Sequence, residues 1–110
     1  MHERRQYERV MLPEDACVEL RGFLNGHGVH AKVLEIGRGG LLLDTDSPVA
    51  TGDQFKATVA DLSDGSRCEV TVEVIYCSDR GVGCRFLHLD VAAAVEVGVW
   101  IGRYLRLDRH

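Results

Sequence analysis

The chain has 110 residues and a net charge of −4, and hydrophobic residues make up 45% of it. This length allows one domain around one modest core. The acidic balance excludes the broad basic surface of a general nucleic-acid-binding protein, although a small anionic ligand needs only a local basic cluster.

The N-terminal segment is rich in arginine. Residues 2–9 are charged and offer little to bury, so segment 1–15 is expected to form a flexible arm. Arg5 and Arg9 are four positions apart, and Arg4 adjoins the first of them. In a helical or turn-like arm this spacing puts two guanidinium groups on one side. An anion between them would turn their repulsion into two charge-assisted contacts.

From residue 16 onward, apolar and polar residues alternate, which is typical of half-buried strands. Turns rich in glycine separate these runs, beginning with a turn at Asn25-Gly26-His27-Gly28. Six strands are predicted, at residues 17–24, 29–36, 41–43, 55–62, 68–77 and 82–87. Six short antiparallel strands at close spacing indicate an all-β fold, a closed or nearly closed barrel over residues 16–89.

Segment 33–43 joins two apolar runs through a glycine-rich corner. Gly37, Gly39 and Gly40 are predicted to take positive φ angles and to leave the main chain uncovered. A flat or large ligand can then approach the backbone N–H groups beside the Glu35 carboxylate. Arg38, inside the corner, is either a cation for that ligand or a loop residue that is solvated or paired with Glu35.

After Asp90, a predicted N-cap, the period becomes helical over residues 91–107. The charged residues follow one narrow stripe, so the apolar surface is wider than one contact with the barrel would cover. Gly98 and Gly102 each cost a helix about 1 kcal/mol relative to alanine, which indicates that another backbone approaches there. The helix, assigned to 90–107 with its cap, either packs on its own barrel or binds a partner, including a second copy of the chain. It is too short and polar to span a bilayer.

Several classes of site are not expected. The cysteines form no CxxC pair and no apolar leader follows Met1, which favours a reducing, cytoplasmic compartment in which cysteines are small core residues. The histidines and cysteines lack metal-ligand spacing. Phosphate-loop, HExxH and GxSxG motifs are absent from the sequence, so an enzyme is not expected.

Two motifs and their order resemble a known family. Residues 5–9 fit an RxxxR motif, and residues 35–40 align with a later [Asp/Asn]-x-Ser-x-x-Gly motif, followed by an apolar strand at 41–43. Residues 52–53 before a strand and 83–86 near the close of the barrel also fit the pattern. From residue 3 to residue 89 the chain thus resembles the PilZ domain, a family of bacterial receptors for the second messenger cyclic di-GMP.

The resemblance implies a six-stranded PilZ-type barrel with a C-terminal helix in one domain, 1–110, and a cyclic di-GMP site without any other cofactor. Arg38 has no counterpart in the motif and is added because of its place in the corner. The implied site residues are Arg4, Arg5, Arg9, Glu35, Gly37, Arg38, Gly39 and Gly40.

The second motif departs from the family pattern at two positions. Glu35 stands where the family has Asp or Asn, so the carboxylate is kept but is one methylene longer. Gly37 stands where the family has Ser, which removes a hydroxyl. One neutral hydrogen bond contributes about 0.5–1.5 kcal/mol, so the change at Gly37 is expected to weaken binding by about tenfold or less.

The mechanism that the resemblance implies is a switch. The arm would close on the nucleotide and change the surface offered to a protein effector, which the sequence does not identify. The alternative is a degenerate PilZ-like interaction module that does not bind the nucleotide and acts through the helix at 91–107.

Overall fold

The computed structural model describes residues 9–108, and the side chains of residues 9–105. These residues form seven strands followed by one helix. The strands are β1 (Arg9–Met11), β2 (Val18–Leu24), β3 (His27–Gly37), β4 (Gly40–Asp44), β5 (Gln54–Asp61), β6 (Ser66–Ser78) and β7 (Gly81–His88), and the helix is α1 (Val91–Asp108).

Strands β2 to β7 close into an antiparallel barrel, which confirms the predicted fold class. The order around the barrel is β3-β2-β5-β6-β7-β4, and β4 returns to pair with β3. Each strand presents one apolar face to the interior of the barrel, because every second side chain points to the same face of a strand. In β5, for example, Phe55, Ala57 and Val59 point into the core and are 6%, 5% and 1% exposed.

The β2–β3 hairpin turn follows directly from its sequence. Asn25 and Gly26 both have positive φ, 51° and 86°. A two-residue turn that matches the twist of its strands needs positive φ at both central positions, which Asn-Gly supplies at little cost. The predicted turn is therefore confirmed at Asn25 and Gly26, whereas His27 and Gly28 already belong to β3.

Strand β1 is an element that the sequence did not predict. Arg9 to Met11 lie within the segment expected to be a flexible arm, yet they pair with β3. Val10 is 1% exposed and Leu12 is 8% exposed, so both belong to the core. Residues 9–12 of this segment therefore belong to the folded domain, because two of their side chains enter the core and β3 has an edge with which β1 can pair.

Helix α1 packs against β1, β3 and β6. Asp90 caps its N-terminus as predicted, since its carboxylate accepts a hydrogen bond from the Ala93 backbone N–H at 2.8 Å. The buried face includes Val97, Ile101 and the fully buried Trp100. The helix therefore closes the core on the side where β1 adds to the barrel.

A buried carboxylate at the end of β5 also holds the helix. Asp61 is 0% exposed and accepts hydrogen bonds from Arg103, Tyr104 and Ser63 at 2.7, 2.7 and 2.6 Å. Burial by itself would raise the pKa of the Asp61 carboxyl, but these hydrogen bonds hold that pKa below its ordinary value. The same burial, together with Asp61, raises the pKa of Tyr104 to about 12.

We expect Asp61→Asn to lower the free energy of unfolding by about 1–3 kcal/mol at pH 7, because the charge-assisted hydrogen bonds are lost. The folded pKa of Asp61 lies below the unfolded one, so its contribution is complete above about pH 4 and is lost as the pH falls through the folded pKa. Urea unfolding at pH 7 and in acid measures both effects. Asp79→Asn, in an exposed turn, is the control, and equal losses in the two variants would contradict this role.

Candidate functional site

The pairing of β1 with β3 brings the first motif beside the second. Arg9 lies opposite Gly37, Val10 opposite Ile36 and Met11 opposite Glu35. Val10 and Ile36 point into the core, so their neighbours Arg9 and Glu35 lie on the outer face of the sheet. Arg4 and Arg5, the other predicted arginines, lie outside the described residues.

The Glu35 carboxylate is paired with Arg9. Nη1 of Arg9 lies 3.8 Å from Oε1 of Glu35, and the side chains are 37% and 26% exposed. The sequence left open an ion pair between Glu35 and Arg38. In the part of the chain that the structure describes, Arg9 takes that place, and Arg38 is exposed without an ion pair.

The glycine corner differs from the prediction. Positive φ angles occur at Gly26, Gly52, Gly65 and Gly81 among the described glycines, and not at Gly37, Gly39 or Gly40. The corner is a tight hairpin instead, in which only Arg38 and Gly39 connect β3 to β4. The backbone N–H of Phe86 on β7 donates a hydrogen bond to the Gly39 carbonyl at 2.9 Å, which fixes the turn.

Gly40 is required by barrel closure. A Cβ at this position would overlap the carbonyl oxygen of Cys84 and lie 2.9 Å from Cα of Arg85. Here β4 and β7 approach so closely that no side chain fits between them. The space that the sequence assigned to a ligand at Gly40 is therefore filled, on this side, by the neighbouring strand.

The same outer face carries residues that the sequence did not assign to the site. Met11 is 62% exposed beside Glu35, and Leu42 lies opposite Glu35 on the other side. The ring of Tyr76 covers Gly83, where a Cβ would lie 2.9 Å from Cδ2 of Tyr76. The sequence shows which side chains alternate along each strand, but it does not show the register that joins β3, β4, β7 and β6 into one face.

This arrangement suits an anion with apolar or planar parts. Arg9 and Arg38 supply cationic donors, Glu35 supplies an acceptor, and Met11 and Tyr76 supply exposed apolar surface, whereas Leu42 is buried. The face is open, and a concave surface of the described residues lies elsewhere, mainly on β2, β5 and β6.

Two kinds of feature are not found within residues 9–108. No three histidine, cysteine or acidic side chains there lie close enough to hold a metal ion together. Helix α1 lacks the long apolar stretch that crossing a membrane requires.

Comparisons with known proteins agree with the barrel and the order of the motifs. A family model described as the PilZ domain matches residues 3–103. The fold is similar to the solved structure "PilZ domain with c-di-GMP of YcgR from Escherichia coli", with a TM-score of 0.76 and 17% sequence identity over 97% of this chain and 95% of that chain. A sequence search of the curated proteins finds no match. Since the family model matches residues 3–103, nearly the whole chain, this chain belongs to the PilZ domain family.

Proposed function

We propose that this PilZ domain is a bacterial, cytoplasmic receptor for cyclic di-GMP that binds the nucleotide without turning it over. The observation that carries the proposal is the register of β1 on β3, which sets Arg9 opposite Gly37 and beside Glu35. Two motifs 26 positions apart thereby meet on one face. The ligand-binding residues would be Arg4, Arg5, Arg9, Glu35, Gly37, Arg38 and Gly39. Gly40, the eighth residue of the predicted site, would act by letting β4 and β7 close beside them.

The charges of the face support binding of a phosphate-containing ligand. A lone Glu35 carboxylate would repel phosphate, but Arg9 compensates its charge at 3.8 Å. Both side chains are partly exposed, and such ion pairs contribute little, about 0–1 kcal/mol. The Arg9 guanidinium can therefore turn to a phosphate at small cost, which leaves the Glu35 carboxylate to accept hydrogen bonds from a guanine edge.

The switch would run through strand β1. Residues 1–8, which include Arg4 and Arg5, lead directly into β1, and β1 packs against α1. If these residues close over the nucleotide, the change reaches α1 through a strand of only three residues. The exposed surface of α1 is then the surface offered to a protein effector.

Titration calorimetry with cyclic di-GMP, together with its effect on the melting temperature, tests the proposal. Saturating ligand at 100 times Kd stabilises a protein by about 2.7 kcal/mol, which raises the melting temperature of a domain of this size by roughly 10 °C or more. Cyclic di-AMP is the control, because it has the same phosphates but lacks the guanine donors that Glu35 would bind. We expect it to bind at least about tenfold more weakly. The nucleotide should be recovered unchanged, and neither heat nor a melting shift at millimolar cyclic di-GMP would overturn the receptor function.

The second candidate function is an interaction module that binds no nucleotide. It is favoured by Gly37, which lacks the family's hydroxyl, and by an exposed apolar stripe on α1. Val91, Val95 and Val99 are 81%, 61% and 48% exposed along this stripe. A Cβ at Gly98 or Gly102 would meet nothing within 4 Å, so packing within the described chain does not require either glycine.

In either function we infer that the α1 stripe binds a second copy of the chain. The residues of the stripe, Val91, Val95, Gly98, Val99 and Gly102, are all uncharged, and Glu96 is the one charged residue between 91 and 102. Two copies can therefore bring their stripes together without like charges facing each other, as an isologous dimer requires. The bare glycines would let the two helices approach closely.

Val95→Glu is expected to convert a dimer to a monomer, because it would bring two carboxylates into the contact. Sedimentation equilibrium over a range of concentrations measures this effect. Ile75→Glu is the matched control, since Ile75 is 43% exposed but lies nine positions along β6 from Ser66, the residue that bonds Trp100 of α1. A wild-type protein that stays monomeric at millimolar concentration would rule out self-association through this stripe.

A further inference from the structure

A single row of residues crosses five strands of the sheet next to the glycine corner. Arg9 on β1 lies opposite Gly37 on β3, and Gly40 on β4 lies opposite Arg85 on β7. Gly37 and Gly40 follow the last β3–β4 pair and flank the two-residue turn. Arg85 in turn lies opposite Glu73 on β6. The row thus reads arginine, glycine, glycine, arginine, glutamate.

Both arginines of this row point outward. Val10 and Cys84, their neighbours along the chain, are each 1% exposed and point into the core. Arg9 and Arg85 therefore lie on the outer face, three strand spacings apart, which is about 14 Å at the level of the backbone. Between them the row has no side chain beyond Cα, because its two central residues are Gly37 and Gly40, and both of these glycines are buried. The two guanidinium groups therefore flank a pair of buried glycines, which we call the glycine floor.

The guanidinium of Arg85 is oriented by one carboxylate oxygen. Nε and Nη2 of Arg85 lie 2.8 and 2.7 Å from Oε1 of Glu73. The Arg85 side chain is 58% exposed, whereas that of Glu73 is only 20% exposed. Nη1 makes no hydrogen bond within residues 9–108, and Gly40, the neighbour on the other side, has no side chain to block it.

We propose that Arg85 is a second anion-binding arginine of this face, opposite Arg9 across the glycine floor, and that Glu73 orients it and competes with the ligand for it. The inference rests on the proposed cyclic di-GMP site and adds a contact to it. A cyclic dinucleotide carries two phosphates, so arginines on both sides of one floor match its charge better than Arg9 alone. Arg85 lies within residues 83–86, which fit the family pattern, but neither the RxxxR motif nor the motif at residues 35–40 includes Arg85 or Glu73.

Two substitutions with opposite expected effects test this role. Arg85→Gln should weaken cyclic di-GMP binding by about tenfold to a hundredfold, as expected for a lost charge-assisted contact. Glu73→Gln keeps an oxygen that can orient Arg85 but removes the competing charge, so it should tighten binding severalfold. Calorimetric titration of the full chain measures both affinities.

The matched control is Arg21→Gln. Arg21 is also an exposed arginine near a glutamate, 3.6 Å from Glu19, but it lies on β2, away from the row. The control removes the same net charge and should leave the affinity within about twofold of wild type, well below the effect of a lost charged contact. Melting temperatures close to wild type would show that the variants fold, as expected for exposed ion pairs.

The outcomes separate the two proposals. If the wild type binds cyclic di-GMP and Arg85→Gln binds equally well, the role of Arg85 is overturned and the receptor function stands. Weaker binding by Glu73→Gln would overturn the competing role of Glu73. If the wild type does not bind the nucleotide at all, the receptor function fails, and Arg85 and Glu73 are then a cross-strand ion pair of the barrel.

Discussion

Gly40→Ala is expected to destabilise the fold by at least about 3 kcal/mol, at the upper end of the range for inserting one methyl group into a packed site. The added Cβ would overlap the Cys84 carbonyl oxygen on β7, which is a backbone atom and has no rotamer with which to move away. The β4–β7 pairing would have to open, and that pairing closes the barrel. Urea unfolding, followed by circular dichroism, measures the loss.

The matched control is Gly28→Ala, in strand β3. A Cβ at Gly28 meets nothing within 4 Å, and the φ of this residue is not positive. Replacing glycine by alanine in such a strand should stabilise the protein by about 0.5–1 kcal/mol. If Gly40→Ala is as stable as Gly28→Ala but no longer binds cyclic di-GMP, the glycine serves the ligand and the packing argument is wrong.

Arg9→Ala is expected to weaken cyclic di-GMP binding by about tenfold to a hundredfold, because a charge-assisted hydrogen bond contributes about 1.5–3 kcal/mol. The substitution also leaves the Glu35 carboxylate without its cation, so repulsion of phosphate adds to the loss. The double variant Arg5→Ala with Arg9→Ala should lose more than either single variant. Titration calorimetry in low and high salt measures these losses.

Stability distinguishes a lost contact from a lost strand. The Arg9–Glu35 pair is long and partly exposed, and Val10 and Leu12 remain to hold β1. The melting temperature of Arg9→Ala should therefore stay close to that of wild type. Arg67→Ala, at an exposed position on β6, is the control for net charge. If Arg9→Ala and the double variant both bind cyclic di-GMP as tightly as wild type, Arg9 is not part of the site.

These two predictions assign different roles to two residues of neighbouring motifs. Gly40 acts through the barrel, because the strand beside it occupies the space of a side chain. Arg9 acts through the ligand, because its guanidinium lies on the open face with a weak partner. A family motif therefore contains both residues that the fold requires and residues that would bind the ligand. The two kinds are distinguished by the atoms that surround each residue in the structure.

The sequence alone determined the elements whose signal is local. Alternation along residues 55–61 put Asp61 on the same side as Phe55, and the structure confirms this parity. Asn25-Gly26 predicted its own turn, since φ preferences belong to single residues. The N-cap at Asp90 and the helix after it were also predicted, because a capping side chain and a helical period are local features of the sequence.

The tertiary structure decided what depends on residues distant in the chain. Strand β1 has only three residues, too few for a periodic signal, and it forms because β3 offers an edge and the core accepts Val10. Besides the nearby Ser63, Asp61 is bound by Arg103 and Tyr104, which are 42 and 43 positions away, so no local pattern could explain why a carboxylate faces the core. Arg9 beside Glu35, and Arg85 opposite Gly40, are matters of strand register. Register follows from which side chains fill the barrel together, and this packing is a property of the whole chain.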